Sequence, residues 1–205
     1  MKPDSSTIIK RYNRLAPYYD GMEAVIEGLL FSRWRKRLWS KIEGEHILEV
    51  GVGTGKNFSY YPKNTRLTAI DFSPDMLALA QQKRVRKSID VHLDLMDVEQ
   101  LYYADNSFDT VVATFVFCSV AAPRRGLREL YRVCKPGGQV ILLEHVLSSK
   151  PLLARIMHLL NPLVLAAVGA NINRETIKNV QACGFNQVLV DARCGDIIKL
   201  IQAYK

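Results

Sequence analysis

What the chain lacks narrows it first. Its four cysteines, Cys118, Cys134, Cys183 and Cys194, are isolated thiols with no C-x-x-C spacing, which excludes the usual metal and redox frameworks. No secretory leader opens the sequence, so reduced thiols and a cytoplasmic location are expected, with peripheral contact at the inner membrane surface kept open. No apolar run reaches the roughly 20 clean residues of a membrane-spanning helix. The best of them, Pro151 to Val168, is interrupted by Arg155, His158 and Pro162 and reads as a hydrophobic lid or interface helix. Acids are also scarce, with 20 Asp and Glu against 28 Lys and Arg for a net charge of +8.

Much of that excess lies early. Residues 1–41 hold nine bases and four acids, nine minus four giving +5. Gly28 to Trp39 mixes bulky apolar and basic residues. It suits a helix lying on anionic lipid, or equally one that buries Leu30, Trp34 and Leu38 and solvates its arginines. A basic chain also raises nucleic acid as a partner, so an RNA-binding or RNA-modifying protein is the alternative from a different class.

At 205 residues the chain is long enough for one domain with a real core. Its organising stretch is His46 to Asn57, where an apolar run ends in Glu49 and opens into Gly51, Gly53 and Gly55. That pattern predicts a buried strand, a sharp turn and a helix start, the layout of a nucleotide-binding turn. The dinucleotide fingerprint fails because Lys56 stands where its third glycine belongs. A phosphate-binding P-loop fails too, since Val50 and Asn57 occupy its first glycine and its hydroxyl position.

Downstream, Arg66 to Asp71 predicts a second strand, its terminal acid 20 residues beyond Gly51. An acid at that place accepts hydrogen bonds from ribose hydroxyls in α/β nucleotide folds. Ser73, Pro74 and Asp75 then cap a helix. Strands follow at Ile89 to Leu95, Ser107 to Phe117, Gln139 to Val146, Phe185 to Asp191 and Ile197 to Ala203, with helices at Pro123 to Cys134 and from Asn173 to Gly184. The apolar central strand should be buried on both faces, and Thr114 to Ser119 beyond its carboxyl end should line a pocket. Near the N-terminus, Pro17 predicts a break, leaving Tyr12, Tyr18 and Tyr19 in a short bent segment.

The run E-x-G-x-G-x-G at Glu49 to Gly55, Asp71, Asp97, Ser107-Phe108-Asp109 and Lys135-Pro136-Gly137-Gly138 resembles, in order and interval, the class I S-adenosylmethionine-dependent methyltransferases. Asn57 to Pro62, Thr114 to Val120, Glu144 to Val146 and Asn171 to Thr176 are similar to the methyltransferase-like thiol S-methyltransferases. Glu49 to Gly55 and Ser149 to Ala154 also look like bacterial phosphatidylethanolamine N-methyltransferases, and Tyr12 to Asp20 like the opening of the ubiquinone-biosynthesis group. The animal thiol enzymes carry a hydrophobic N-terminal anchor that this sequence lacks.

The resemblance implies a single α/β domain, a Rossmann-like fold with a seven-stranded, mostly parallel sheet and helices on both faces. It implies residues 1–44 as an N-terminal helical lid and 147–172 as an acceptor-side insertion. The implied cofactor is S-adenosylmethionine, released as S-adenosylhomocysteine. Its implied contacts are Tyr19, Glu49, Gly51, Gly53, Gly55, Asp71, Phe72, Met76, Asp97, Val98, Thr114 and Phe115. Phe72 and Met76 would flank adenine; Asp97 would reach its amino group or cap a following helix, and Val98 would offer its amide.

A sulfonium methyl is already electrophilic, so the protein mainly positions and excludes water. A thiol acceptor needs deprotonation, and His145 at the end of the fifth strand is the candidate base, against a structural role. A small apolar thiol is the first expectation for the acceptor, with a lipid amine or quinone precursor second. The Asp/Asn-Pro-Pro-aromatic motif of nucleic-acid amino methylation is absent, which counts against RNA. A cofactor-sensing binder without turnover is the other open reading. No metal and no particular oligomeric state are implied.

Overall fold

The computed structural model describes residues 5–26, 31–191 and 196–205. Seven strands form one sheet: β1 (His46–Val50), β2 (Arg66–Asp71), β3 (His92–Leu95), β4 (Phe108–Thr114), β5 (Cys134–His145), β6 (Gln187–Asp191) and β7 (Ile198–Tyr204). Their order is β3-β2-β1-β4-β5-β7-β6. The first five run parallel, and β7 pairs antiparallel with both β5 and β6. Among the described residues six α-helices flank the sheet: α1 (Ser5–Ile26), α2 (Ser32–Trp39), α3 (Pro74–Lys87), α4 (Pro123–Val133), α5 (Pro151–Val168) and α6 (Thr176–Gln181).

The alternation of side chains along the central strands divides the core in two. Val111 and Ala113 of β4 join Val140 and Leu142 of β5 on one face, packed against Leu127 and Leu130 of α4 and Val180 of α6. Val112, Ile141 and Leu143 point the other way, toward Leu38 and Trp39 of α2 and Ala80 of α3. Burial on both faces explains the unbroken apolar run Val111-Val112-Ala113 at the centre of β4, as in parallel strands between helix layers.

Several boundaries differ from those the sequence predicts. α1 runs through Pro17. A proline inside a helix costs about 3 kcal/mol, but Ile8 and Ala16, one face of α1 with Tyr12, are each only 3% exposed, and burial of that face against the body offsets the loss. β5 begins at Cys134 and carries Lys135-Pro136-Gly137-Gly138 within it, with a register shift against β4 between Phe108 and Thr110. β3 starts only at His92, and β4 ends at Thr114 because Phe115 turns into left-handed backbone, φ 58°. Asn173 does not cap α6, which Glu175 precedes; its amide meets His158 Nδ1 at 3.0 Å.

α2 follows the buried alternative in part, since Arg35 is buried instead of solvated. Leu38 and Trp39 sit in the core, Trp34 is half-buried, and Arg37 pairs with Asp191 at 2.6 Å. Gly28 and Leu30 lie outside the described residues.

Candidate active site

The glycine turn is built by β1 and β2 together. Ile70 O accepts from the amides of Gly51 and Val52 at 2.8 and 2.9 Å, curling the chain back over the end of β2. Gly51 needs its missing side chain twice over. Its φ is +70°, and a Cβ would stand 2.4 Å from Val116 Cγ2. Gly53, φ +55°, has nothing within 4 Å of the corresponding point. Space is therefore left in front of the turn.

Asp71, at the tip of β2, is 5% exposed and locks this corner. Its Oδ2 accepts from Gly53 N at 2.8 Å and its Oδ1 from Ser73 N at 2.9 Å. Burial pushes its carboxyl up to about 6, against those amides, which favour the ionised form. Each oxygen still has a lone pair for a further donor.

Two cavities open beside it and share Gly51, Asp71, Phe72, Val116 and Ser119. The first, about 40 Å³, is walled by Ile70, Met96, Asp97, Val98 and Val120 and roofed by Ile8. The second, about 60 Å³, adds Gly53, Met76, Thr114 and Phe115 and is bordered by Tyr12. Each has room for only a few waters. Among the described residues, three hydrogen bonds tie α1 over these cavities. Tyr12 and Ser119 share a hydroxyl hydrogen bond, Ser73 Oγ donates to Asn13 Oδ1 at 2.6 Å, and Arg11 Nη1 donates to Leu165 O at 2.6 Å.

These residues fit an adenosine-bearing cofactor. The first cavity is an apolar slot with the Asp97 carboxylate at its wall, suited to a purine with an exocyclic amine. Asp71, between the cavities, suits a vicinal diol. Tyr12 and Phe72 meet edge to face at 5.8 Å, offering aromatic surface to a cation.

Most of the residues expected from the sequence meet at these cavities: Gly51, Gly53, Asp71, Phe72, Met76, Asp97, Val98, Thr114 and Phe115. Asp97 also accepts from Glu99 N at 2.9 Å, making a tight turn where a capped helix was the other expectation. Glu49, Gly55 and His145 line neither cavity. The side chain of Tyr19 lies outside the described residues.

Glu49 instead anchors a buried network beneath the turn. Asn57 Nδ2 donates to Glu49 Oε1 at 2.6 Å and to Thr114 Oγ1 at 3.1 Å, Tyr61 donates to Glu49 Oε2, and Arg35 Nη1 donates to Asn57 Oδ1 at 2.9 Å. Burial raises the Glu49 carboxyl to about 7, with Tyr61, Asn57 and the Arg35 charge pulling the other way. Arg35, 5% exposed, also lies 5.7 Å from the Phe115 ring centroid. Neither Arg35 nor Asn57 was expected at the site. Ile8 was missed too, although its helical spacing with Tyr12 and Ala16 marks one face of α1.

On the same side of the sheet, His145 stacks on Phe115 at 4.8 Å and 29°, and Phe31 packs on both rings. Glu144 points away. It is fully buried and accepts from Val116 N and Phe117 N at 2.9 and 3.0 Å, fixing the turn after β4. Burial, and then Glu144, push the Cys118 thiol up to about 12, so it serves as packing and not as a nucleophile.

Comparison with known proteins agrees with this geometry. Residues 48–142 match a methyltransferase domain family. The chain is 36% identical over 151 residues to a phosphatidylethanolamine N-methyltransferase of Cereibacter sphaeroides, covering 73% of each. It is 33% identical to the thiol S-methyltransferase TMT1B of Rattus norvegicus, covering 71% of this chain and 62% of that one. A S-adenosylmethionine-dependent methyltransferase structure from Thermotoga maritima superposes with a TM-score of 0.72 at 18% identity, over 95% of this chain and 98% of that one. With the cofactor corner built as it is, and relatives this similar along most of its length, the chain belongs to the S-adenosylmethionine-dependent methyltransferases.

Proposed function

We propose that the enzyme methylates a small, apolar acceptor, with a thiol first. The observation that carries this is the composition of the surface beside the second cavity. Phe31, Phe115 and His145 form it, with Arg35 over the Phe115 ring. Among the described side chains no accessible carboxylate joins them, since Glu49 is 1% and Glu144 0% exposed. An ammonium acceptor has nothing anionic to receive it there. A thiol is better served, because a desolvated cation favours thiolate and an imidazole can take its proton.

S-adenosylmethionine supplies the electrophilic methyl; the rest falls to the chain. Asp71, Gly51 and Gly53 hold the nucleoside end, and Asp97 and Val98 frame the base. Residues 1–44 act as a lid and 147–172 as the acceptor-side wall. His145 would take the thiol proton as the sulfur receives the methyl group that the bound cofactor would supply. The aromatic rings exclude water from that step.

A lipid amine is the second reading, favoured by the outward leucines of α5 and by the phosphatidylethanolamine-methylating relative. The test is methyl transfer from labelled S-adenosylmethionine to alkyl thiols, hydrogen sulfide, phosphatidylethanolamine vesicles, a quinone precursor and RNA, with products identified by mass. Label on a thiol sustains the first reading. Label in the vesicles replaces it with the second, and site-specific label in RNA overturns both.

A further inference from the structure

α5 has two faces of different character. The inner face holds the helix to the body: Met157 is buried, Asn161 Oδ1 accepts from Ile172 N at 2.9 Å, and Leu165 O accepts from Arg11. The outer face carries Leu152, Ile156, Leu159, Leu160 and Leu163, which recur at helical spacing and form one stripe. Leu152, Leu159 and Leu163 are 73, 78 and 70% exposed. So dense an apolar stripe on a folded surface marks an interaction site.

On α5 and the described first turns of α1 the charges have one sign. α5 contains no carboxylate, and Lys150 and Arg155 are exposed at its first turns. α1 lies against it through Arg11, and its residues 5–18 also hold no acid while exposing Lys10 and Arg14. Asp196, hydrogen-bonded by Ser148 and Ser149 beside the start of α5, stays ionised, and Glu175 pairs with Lys178 at 2.5 Å.

We propose that the outer face of α5, with the basic first turns of α1 beside it, docks the enzyme on an anionic lipid bilayer. An apolar helix face rimmed by bases, with no acid on it, is complementary to that surface; a second copy would set like charges against each other. In α2, the basic stretch that the sequence offered for this role, the apolar Leu38 and Trp39 are turned into the core. The orientation is productive, because α5 begins six residues after His145 and Asn171, just beyond its end, donates to Cys118 O at 2.8 Å. The docked face therefore adjoins the carboxyl edge of the sheet, where the cavities open. A lipid acceptor requires docking and a thiol does not; the proposal rests on neither reading and stands whichever is methylated.

The test is co-sedimentation of the full chain with vesicles of phosphatidylcholine mixed with phosphatidylglycerol, and with vesicles of phosphatidylcholine alone. Preferential binding to the anionic vesicles is expected, weakened by salt and reduced roughly tenfold or more in Leu159→Glu/Leu163→Glu. Calorimetry with S-adenosylhomocysteine should show that this variant retains the wild-type affinity. If it does not, Lys10→Ser/Arg14→Ser takes its place, with the same expected loss of vesicle binding. No binding, equal binding to both vesicles, or binding untouched by the variant overturns the proposal. So does light scattering that shows a dimer dispersed by the leucine variant, which would make a second copy the occupant.

Discussion

Tyr12 and Ser119, 107 residues apart in sequence, share a 2.5 Å hydrogen bond between their hydroxyls across the two cavities. It ties α1 to the turn after β4. Tyr12→Phe keeps the ring against Phe72 and removes only the tie. One such bond is worth about 1 kcal/mol, so S-adenosylhomocysteine should dissociate roughly fivefold faster, with folding stability falling by no more than about the same amount. Stopped-flow release measures it; an unchanged rate would show that the tie does not hold the lid.

The glycines of the turn should separate under substitution. In Gly51→Ala the new methyl lands on Val116, 2.4 Å away, at a positive φ, so folding stability should drop by roughly 2–5 kcal/mol and cofactor binding should fail. In Gly53→Ala it meets open space, leaving mainly a left-handed backbone cost of about 1–2 kcal/mol. That variant should fold, and because Gly53 lines the second cavity it should bind cofactor at least tenfold more weakly. Thermal melts beside calorimetry distinguish the two; wild-type affinity in Gly53→Ala would remove Gly53 from the site.

Three buried carboxyls make the protein pH-sensitive in a defined direction. Asp71 is pushed up to about 6, and Glu49 and Glu144 to about 7, in each case chiefly by burial. The folded chain holds these protons where the unfolded chain has released them. Their contribution is therefore fully present below about pH 4 and lost as pH rises through 6 to 7, on the order of 3 kcal/mol each. Urea midpoints of the cofactor-free protein should fall across that window, less steeply in Asp71→Asn. Cofactor affinity should run the opposite way, because donors to the ionised Asp71 favour it, and calorimetry in two buffers should register proton release. Asp71→Asn should weaken binding by about 10- to 100-fold, the range for hydrogen bonds to a charged group. A midpoint that does not change with pH would contradict the burial argument.

His145→Ala should lower turnover on a thiol by about 100-fold while leaving cofactor affinity within about twofold, since His145 lines neither cavity. The alkaline shift of the rate profile expected on losing a base is the discriminating readout. If rate and profile both stay, the imidazole serves only to pack against Phe115.

The cofactor corner was legible because it is made of short-range rules. Gly51 to Asp71 spans one strand-turn-helix-strand unit, and its spacing depends on little else. Ser73 at the start of α3 is as local, its Oγ accepting from Met76 N at 3.2 Å. Pro17 misled because the local cost of a proline says nothing about what Ile8 and Ala16 bury. The Pro-Gly-Gly stretch misled for a related reason, since Lys135 pairs with Asp109 at 2.6 Å and Gly137 N donates to Lys205 O at 2.9 Å, holding those residues at the sheet. Least legible was the chain from Arg35 through Asn57 to Glu49. Its members stand on three elements, and only packing brings them together.

The place of β7 has a consequence for how the chain is made. It lies between β5 and β6, so the apolar outer edge of β5, Val140 to Leu143, has no partner until residues 198–204 leave the ribosome. β6, made earlier, cannot occupy that edge without the wrong neighbour. Assembly from β1 to β5 can proceed as the chain emerges, but closure waits for the last strand. During that wait the edge of β5 is exposed to pairing with other nascent chains, and truncations within β7 should be found in aggregates before they are found inactive.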